Sequence, residues 1–149
     1  MSLKKAKELG IDTFYKILRE DLIHHEYKYK LGVNEDIKEF NPKGECESGG
    51  LYFVELNRIS NWIEYGTKIA TIKLDPEEEV WIENRKFKSH KFTITFIQTI
   101  EDFLIKNKYD MFEAVKQNGL ALRYVKEQTN EICLEAVKQD EDAKVYVKE

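Results

Sequence analysis

The sequence predicts an α+β protein: a small mixed or antiparallel β-rich unit with one or two helices over residues 1–97, then a stack of short helical hairpin repeats over 98–149. Three observations carry this. Up to residue 97 the apolar residues come in short alternating runs, the spacing of half-buried strands. From Gln98 the spacing turns helical and stays so. Finally, residues 113–127 (EAVKQNGLALRYVKE) return at 135–149 as EAVKQDEDAKVYVKE, ten of fifteen positions identical at an offset of 22. A helical hairpin of that length cannot bury its own apolar face, so such units stack on neighbours.

Taken in order, residues 1–9 read as a short amphipathic helix stopped by Gly10, and 13–19 and 25–30 as aromatic-rich strands. Between Leu31 and Gly50 turn-forming residues crowd together and predict a long irregular segment, the kind of loop that carries binding sites. GGLYFV (49–54) is a strand entered through paired glycines. Leu56, Ile59 and Ile63 set a helix over 55–65 with Gly66 as its stop. TKIATIKL (67–74) alternates, with Ala70, Ile72 and Leu74 on one side, and VWIE (80–83) and HKFTITF (90–96) are further strands.

In the helical part, Thr99 opens one helix. Asp110 and Glu113 have capping-box spacing for a second. Asn118-Gly119 is expected to supply a left-handed turn, with Leu120 to Val125 as a further short helix. Thr129-Asn130 caps the next.

Composition excludes several function classes. The net charge is −4, with 24 Lys+Arg against 28 Asp+Glu, and the helical part is the more acidic of the two. Neither part offers the clustered cations that phosphate backbones require, so nucleic acid is not an expected partner. No apolar run approaches the ~20 residues that span a bilayer, and no signal peptide opens the chain, so no membrane partner is expected. Two cysteines are too few for a disulfide framework, which fits a reducing, intracellular setting.

No convincing catalytic set emerges. Cys46 with His24, His25 or His90 would make a thiolate–imidazole pair only if the fold enforced the contact, and no spacing does. The same residues lack the C-x-x-C or H-x(3)-H spacing of a zinc site. Ser48-Gly49-Gly50 has neither the G-x-S-x-G order of a nucleophile elbow nor the Lys-Ser/Thr of a P-loop. Glu77 to Glu79 read as a solvated turn. Trp62 and Trp81 read as core or interface anchors. No cofactor and no metal are therefore expected. The residues singled out as candidate ligand contacts are Tyr29, Asn34, Asp36, Cys46, Gly49, Gly50 and Tyr52, around the irregular segment and the strand that follows it.

The run EAVKQNGLALRYVKEQTNEICLEAVKQD resembles the tandem helical repeats of giant DNA virus proteins of the mimivirus type. YKYKLGVNEDIKEFNP, CESGGLYF and FKSHKFTI resemble the N-terminal module of such proteins. The resemblance implies a viral protein, expressed in the host cytoplasm or carried in the virion, with no assigned chemistry. GLYFVELNRIS (50–60) is also similar to an element of poly(ADP-ribose) polymerase-type ADP-ribosyltransferases. That likeness implies a nicotinamide-stacking role for Tyr52 and an amide-binding role for Ser60. The family's His-Gly strand reads YKIL here, with Lys16, and HKFTI lacks the late glutamate. A site without both has lost the interactions aimed at the developing charge.

Two expectations follow. The first is a non-enzymatic protein-interaction module that meets a host or viral protein, or a second copy of itself, through the C-terminal repeat. The alternative is a degenerate ADP-ribosyltransferase-like domain that binds NAD or another nucleotide near Tyr52 and Ser60.

Overall fold

The structure is a computed structural model that describes residues 2–43, 48–84 and 86–148. It is an α+β fold built on two four-stranded antiparallel sheets. The first pairs β1 (Ser2–Lys5), β8 (Glu79–Ile82), β9 (Phe87–Ser89) and β6 (Leu51–Phe53), in that order across the sheet. The second pairs β2 (Phe14–Leu18), β7 (Lys68–Lys73), β10 (Lys91–Thr99) and β5 (Gly32–Glu35). A bridge between Tyr15 and Val54 ties β2 to the chain leaving β6. A two-stranded hairpin, β3 (Ile23–His24) and β4 (Tyr27–Lys28), stands apart.

Period-two alternation gives the second sheet two buried faces. Phe14 and Leu18 of β2, Ala70 and Ile72 of β7, and Phe92 and Ile94 of β10 join a core with Leu51, Phe53, Val80 and Phe87 of the first sheet. The Phe14 ring meets Phe53 at 5.0 Å and Phe87 at 5.4 Å, both edge-on, the geometry that ring quadrupoles favour. Ile17 and Ile69 face the other way, into a second core made with the helices.

Those helices are α1 (Ile100–Lys106), α2 (Met111–Gln117) and α3 (Asn130–Gln139). Two 3₁₀ helices follow α2 and α3, at Gly119–Tyr124 and Glu141–Tyr146. Ala114, Ala121, Ala136 and Ala143, which occupy matching places in the two 22-residue segments, are all fully buried in the second core. Each start is capped as its side chain allows: Thr99 accepts from the Asp102 amide, Asp110 from Phe112 and Glu113, and Thr129 from Ile132. Gln128 ties the far end together. Its Nε2 donates to the carbonyls of Val125 (3.2 Å) and Tyr146 (2.9 Å), and its Oε1 accepts from the Lys148 amide at 2.9 Å.

Several local expectations change. Residues 2–5 form an edge strand and only Ala6–Glu8 are helical, as a 3₁₀ turn. Backbone pairing with β8 holds residues 2–5, whose side chains are all exposed. The predicted strand at 25–30 is a tight hairpin, with His25 and Glu26 at positive φ. The long irregular segment contains β5. The helix at 56–65 is 3₁₀ along its whole length (Leu56–Tyr65), with Ile59 and Ile63 buried against the second core. The helix expected from Leu120 is likewise 3₁₀. Asn118-Gly119 makes no left-handed turn: Asn118 is extended, and its side chain accepts from the Leu120 amide. Strand β10 runs through residue 97 to Thr99, and the second core spans both sides of that position.

Candidate functional site

Beside the edge strand β6 and the β3–β4 hairpin lies a cavity of about 630 Å³. Strand β2 sends Lys16 into it. Lys16 shares the inward face of β2 with Phe14 and Leu18, so alternation carries a cation where an apolar side chain would ordinarily go. It is only 7% exposed, and its Nζ donates to the Tyr52 carbonyl oxygen at 2.7 Å. Burial, reinforced by the positive charge of Lys86, lowers the Lys16 amine to about 7. No carboxylate among the described residues counters that shift.

Tyr52 stands at the centre of the cations. Lys86 Nζ lies 4.2 Å from its ring centroid and 5.4 Å from that of Trp62, so the ammonium sits between two π faces. Lys88, fully buried, lies 5.3 Å from the same Tyr52 ring. The Tyr52 hydroxyl donates to Glu83 at 3.2 Å, and Glu83 also approaches Lys86 at 3.9 Å. On the opposite wall Tyr29 is buried, stacked on Phe92 and 4.7 Å from Tyr27, with Lys16 Nζ 5.1 Å from its ring. Burial pushes the Tyr29 hydroxyl well above its ordinary range. At the rim, partial burial of the imidazole and then the Lys16 charge lower His24 to about 4, so it is neutral near pH 7.

The glycine pair shapes the floor. Gly49 and Gly50 both have positive φ, at +97° and +138°, which L side chains rarely adopt. A Cβ on Gly50 would run into the Lys88 side chain, and one on Gly49 into the Glu39 carbonyl. Asp36 fixes this turn by accepting from the Gly50 amide at 2.7 Å.

Five of the residues singled out from the sequence, Tyr29, Asp36, Gly49, Gly50 and Tyr52, therefore line one cavity. Asn34 does not line it. It is fully buried, accepting from the Lys30 amide (3.0 Å) and donating to the Lys30 (2.7 Å) and Gly32 (3.1 Å) carbonyls. Ser60 is fully buried beneath the helices and hydrogen-bonded to Gln117, away from Tyr52. Cys46 lies outside the described residues. Sequence reasoning passed over Lys16, Lys86 and Trp62 as members of this site. A lysine placed between Phe14 and Leu18 on an inward face was the available signal.

Among the described residues no group of three or more His, Cys, Asp or Glu side chains could hold a metal ion, and no helix is long and apolar enough to cross a membrane. The arrangement suits holding an anion against aromatic rings.

A second feature lies on the helices. The Arg123 guanidinium carbon is 5.3 Å from the Tyr124 ring centroid and 5.5 Å from that of Tyr146. The two tyrosines occupy equivalent places 22 residues apart. Val145 beside them is 79% exposed.

The chain is similar to two proteins of Acanthamoeba polyphaga mimivirus. One, named as an ankyrin repeat protein (R868), is 33% identical over 70 residues, which are 46% of this chain and 35% of that protein. The other, the uncharacterized protein R869, is 32% identical over 82 residues, 54% of this chain and 55% of that protein. The matches thus span about a third and about half of the relatives' lengths. No family model matches the chain, and no solved structure matches it. Nothing in these likenesses supports an ADP-ribosyltransferase, and Ser60, bonded to Gln117, does not line the cavity that Tyr52 lines.

Proposed function

We propose that the protein is a non-enzymatic interaction module, in which two stacked helix–3₁₀ repeat units present a docking face to another protein. The observation that carries this is the Arg123 guanidinium held between Tyr124 and Tyr146. Arginine and tyrosine are among the residues that concentrate binding energy at interfaces, tyrosine by large contact area at low entropic cost and arginine by a directed charge. Here two rings from equivalent positions fix the arginine in advance, which lowers the cost of ordering it on binding. The partner such a face suits offers apolar side chains to Val145 and the tyrosine rings, and a carboxylate to Arg123. The likeness to a protein named for ankyrin repeats supports the same reading, since repeat stacks expose extended surfaces.

The test is affinity capture from infected-cell lysate with the wild type and with an Arg123→Glu/Tyr146→Ala double variant, circular dichroism serving to show that both are folded. A host or viral protein retained by the wild type and lost by the folded variant supports the reading. Equal retention by both, or retention by neither, overturns it.

A further inference from the structure

We propose that the cavity beside Tyr52 is a binding site for a small organic anion with an aromatic body, its acidic group meeting Lys16 and Lys86 and its ring lying against Tyr29 or Trp62. This is independent of the docking face on the helices. Four observations converge on it. The volume, about 630 Å³, is that of a pocket for a drug-sized or cofactor-sized molecule. Its walls combine aromatic and aliphatic side chains, among them Tyr29, Tyr52, Phe53 and Trp62, with cations at Lys16, Arg19, Lys38 and Lys86, a lining that suits a flat body carrying a negative charge. Lys16 is buried there with a single hydrogen bond, to the Tyr52 carbonyl, and without a carboxylate partner among the described residues. A buried ammonium is costly to keep unless an anion pairs with it, so an anion that binds beside it relieves that cost. Lys86 supplies a second cation on the same side, held over the Tyr52 and Trp62 rings.

The acids that line the cavity do not fill the role. Asp36 is engaged with the Gly50 and Lys38 amides, and Glu26 is exposed on the hairpin turn. Glu83, buried beside the site, meets Lys86 and the Tyr52 hydroxyl. Among the described residues no carboxylate meets Lys16.

The experiment is titration calorimetry at pH 7 with two anionic probes, adenosine 5′-monophosphate and benzoate, each beside its uncharged counterpart, adenosine and benzamide. At least one anionic probe is expected to bind with a Kd below about 1 mM and at least about tenfold more tightly than its counterpart, as a charge-assisted hydrogen bond implies. Which arm binds separates a phosphate source from a carboxylate source. In Lys16→Met the same probe is expected to weaken about tenfold or more. Lys86→Gln, at the mouth of the cavity, serves as the second variant should Lys16→Met not fold, with loss in the same direction. The proposal is overturned by an absence of binding for both anions at 5-fold that concentration or above, by neutral probes that bind as well as the charged ones, or by affinity unchanged in the folded lysine variants.

Discussion

Gly119 packs so closely on α3 that a Cβ there would overlap the carbonyl oxygen of Ala136. The contact joins the start of one 3₁₀ helix to the helix of the next unit, and it explains a glycine whose backbone is not in the left-handed region. The glycine is present for proximity, and Ala136, fully buried, is small for the same reason.

Gly119→Ala should therefore destabilise the protein by about 1–3 kcal/mol, because a backbone carbonyl cannot step aside as a flexible side chain would. Urea denaturation followed by far-ultraviolet circular dichroism measures it. A midpoint equal to the wild type's would show that the two units are not in contact at this point.

The position equivalent to Gly119 in the second unit is Glu141, and Leu120 and Leu122 correspond to Asp142 and Lys144. In the first unit Gly119 and Leu122 are buried; in the second all three counterparts are exposed. A further unit, or a second copy of this chain, laid on the second unit as the second lies on the first would meet a Cβ and three charged side chains. End-to-end self-association through this face should therefore not occur, and sedimentation velocity should give a sedimentation coefficient independent of concentration. The variant Glu141→Gly/Asp142→Leu/Lys144→Leu removes each obstacle and should associate. A wild type that assembles through this face, or a triple variant that stays dispersed, contradicts the argument.

The core was legible where pattern and burial coincide. Ala70 and Ile72 alternate in the sequence and face one core, and the caps at Thr99, Asp110 and Thr129 lie where oxygen-bearing side chains precede apolar runs. The 3₁₀ segments were not legible, because Leu56, Ile59 and Ile63 satisfy a helical spacing without telling a 3.0-residue turn from a 3.6-residue one. At the cavity, turn chemistry pointed to Gly49 and Gly50, and aromatic content to Tyr29 and Tyr52. Lys16 stayed hidden because a lysine is ordinarily read as a solvent-facing residue, although its place between Phe14 and Leu18 puts it on the inward face of β2. Ser60 was drawn to the site by the resemblance of GLYFVELNRIS to an ADP-ribosyltransferase element, whereas the 3₁₀ helix sets it against Gln117.

Asn34 is predicted to act on the fold and not on a ligand. Its amide satisfies the backbone of the β4–β5 connection at Lys30 and Gly32, and its Oδ1 also accepts from the Tyr27 hydroxyl at 3.3 Å. Asn34→Ala leaves those buried groups without partners and should cost about 2–3 kcal/mol. Hydrogen exchange should then localise the loss to β5 and the hairpin that it faces. A stable variant with unchanged exchange would return Asn34 to the set of candidate ligand contacts.

Lys16 gives stability a pH dependence whose sign is fixed by burial. Its amine titrates at about 7 in the folded protein against an ordinary value of 10.5. Between those values the unfolded chain holds a proton that the folded protein has released, so unfolding free energy rises with pH across that window. Below pH 7 both states are protonated and the folded state carries the full penalty. The Tyr27 and Tyr29 hydroxyls, both raised, act only above pH 10, and His24 only below its ordinary 6.5. The comparison is therefore drawn between pH 7.5 and 9.5, against Lys16→Met, in which the other titrating groups are retained. The wild type should gain about 2 kcal/mol on the variant over those two units, close to the limit for one proton. At pH 6 the variant should be the more stable of the two, since methionine fills the same channel without a charge to desolvate. Parallel pH profiles for the two proteins would mean that the Lys16 amine keeps its ordinary value and is reached by solvent, and the cavity would then lack the buried cation that distinguishes it.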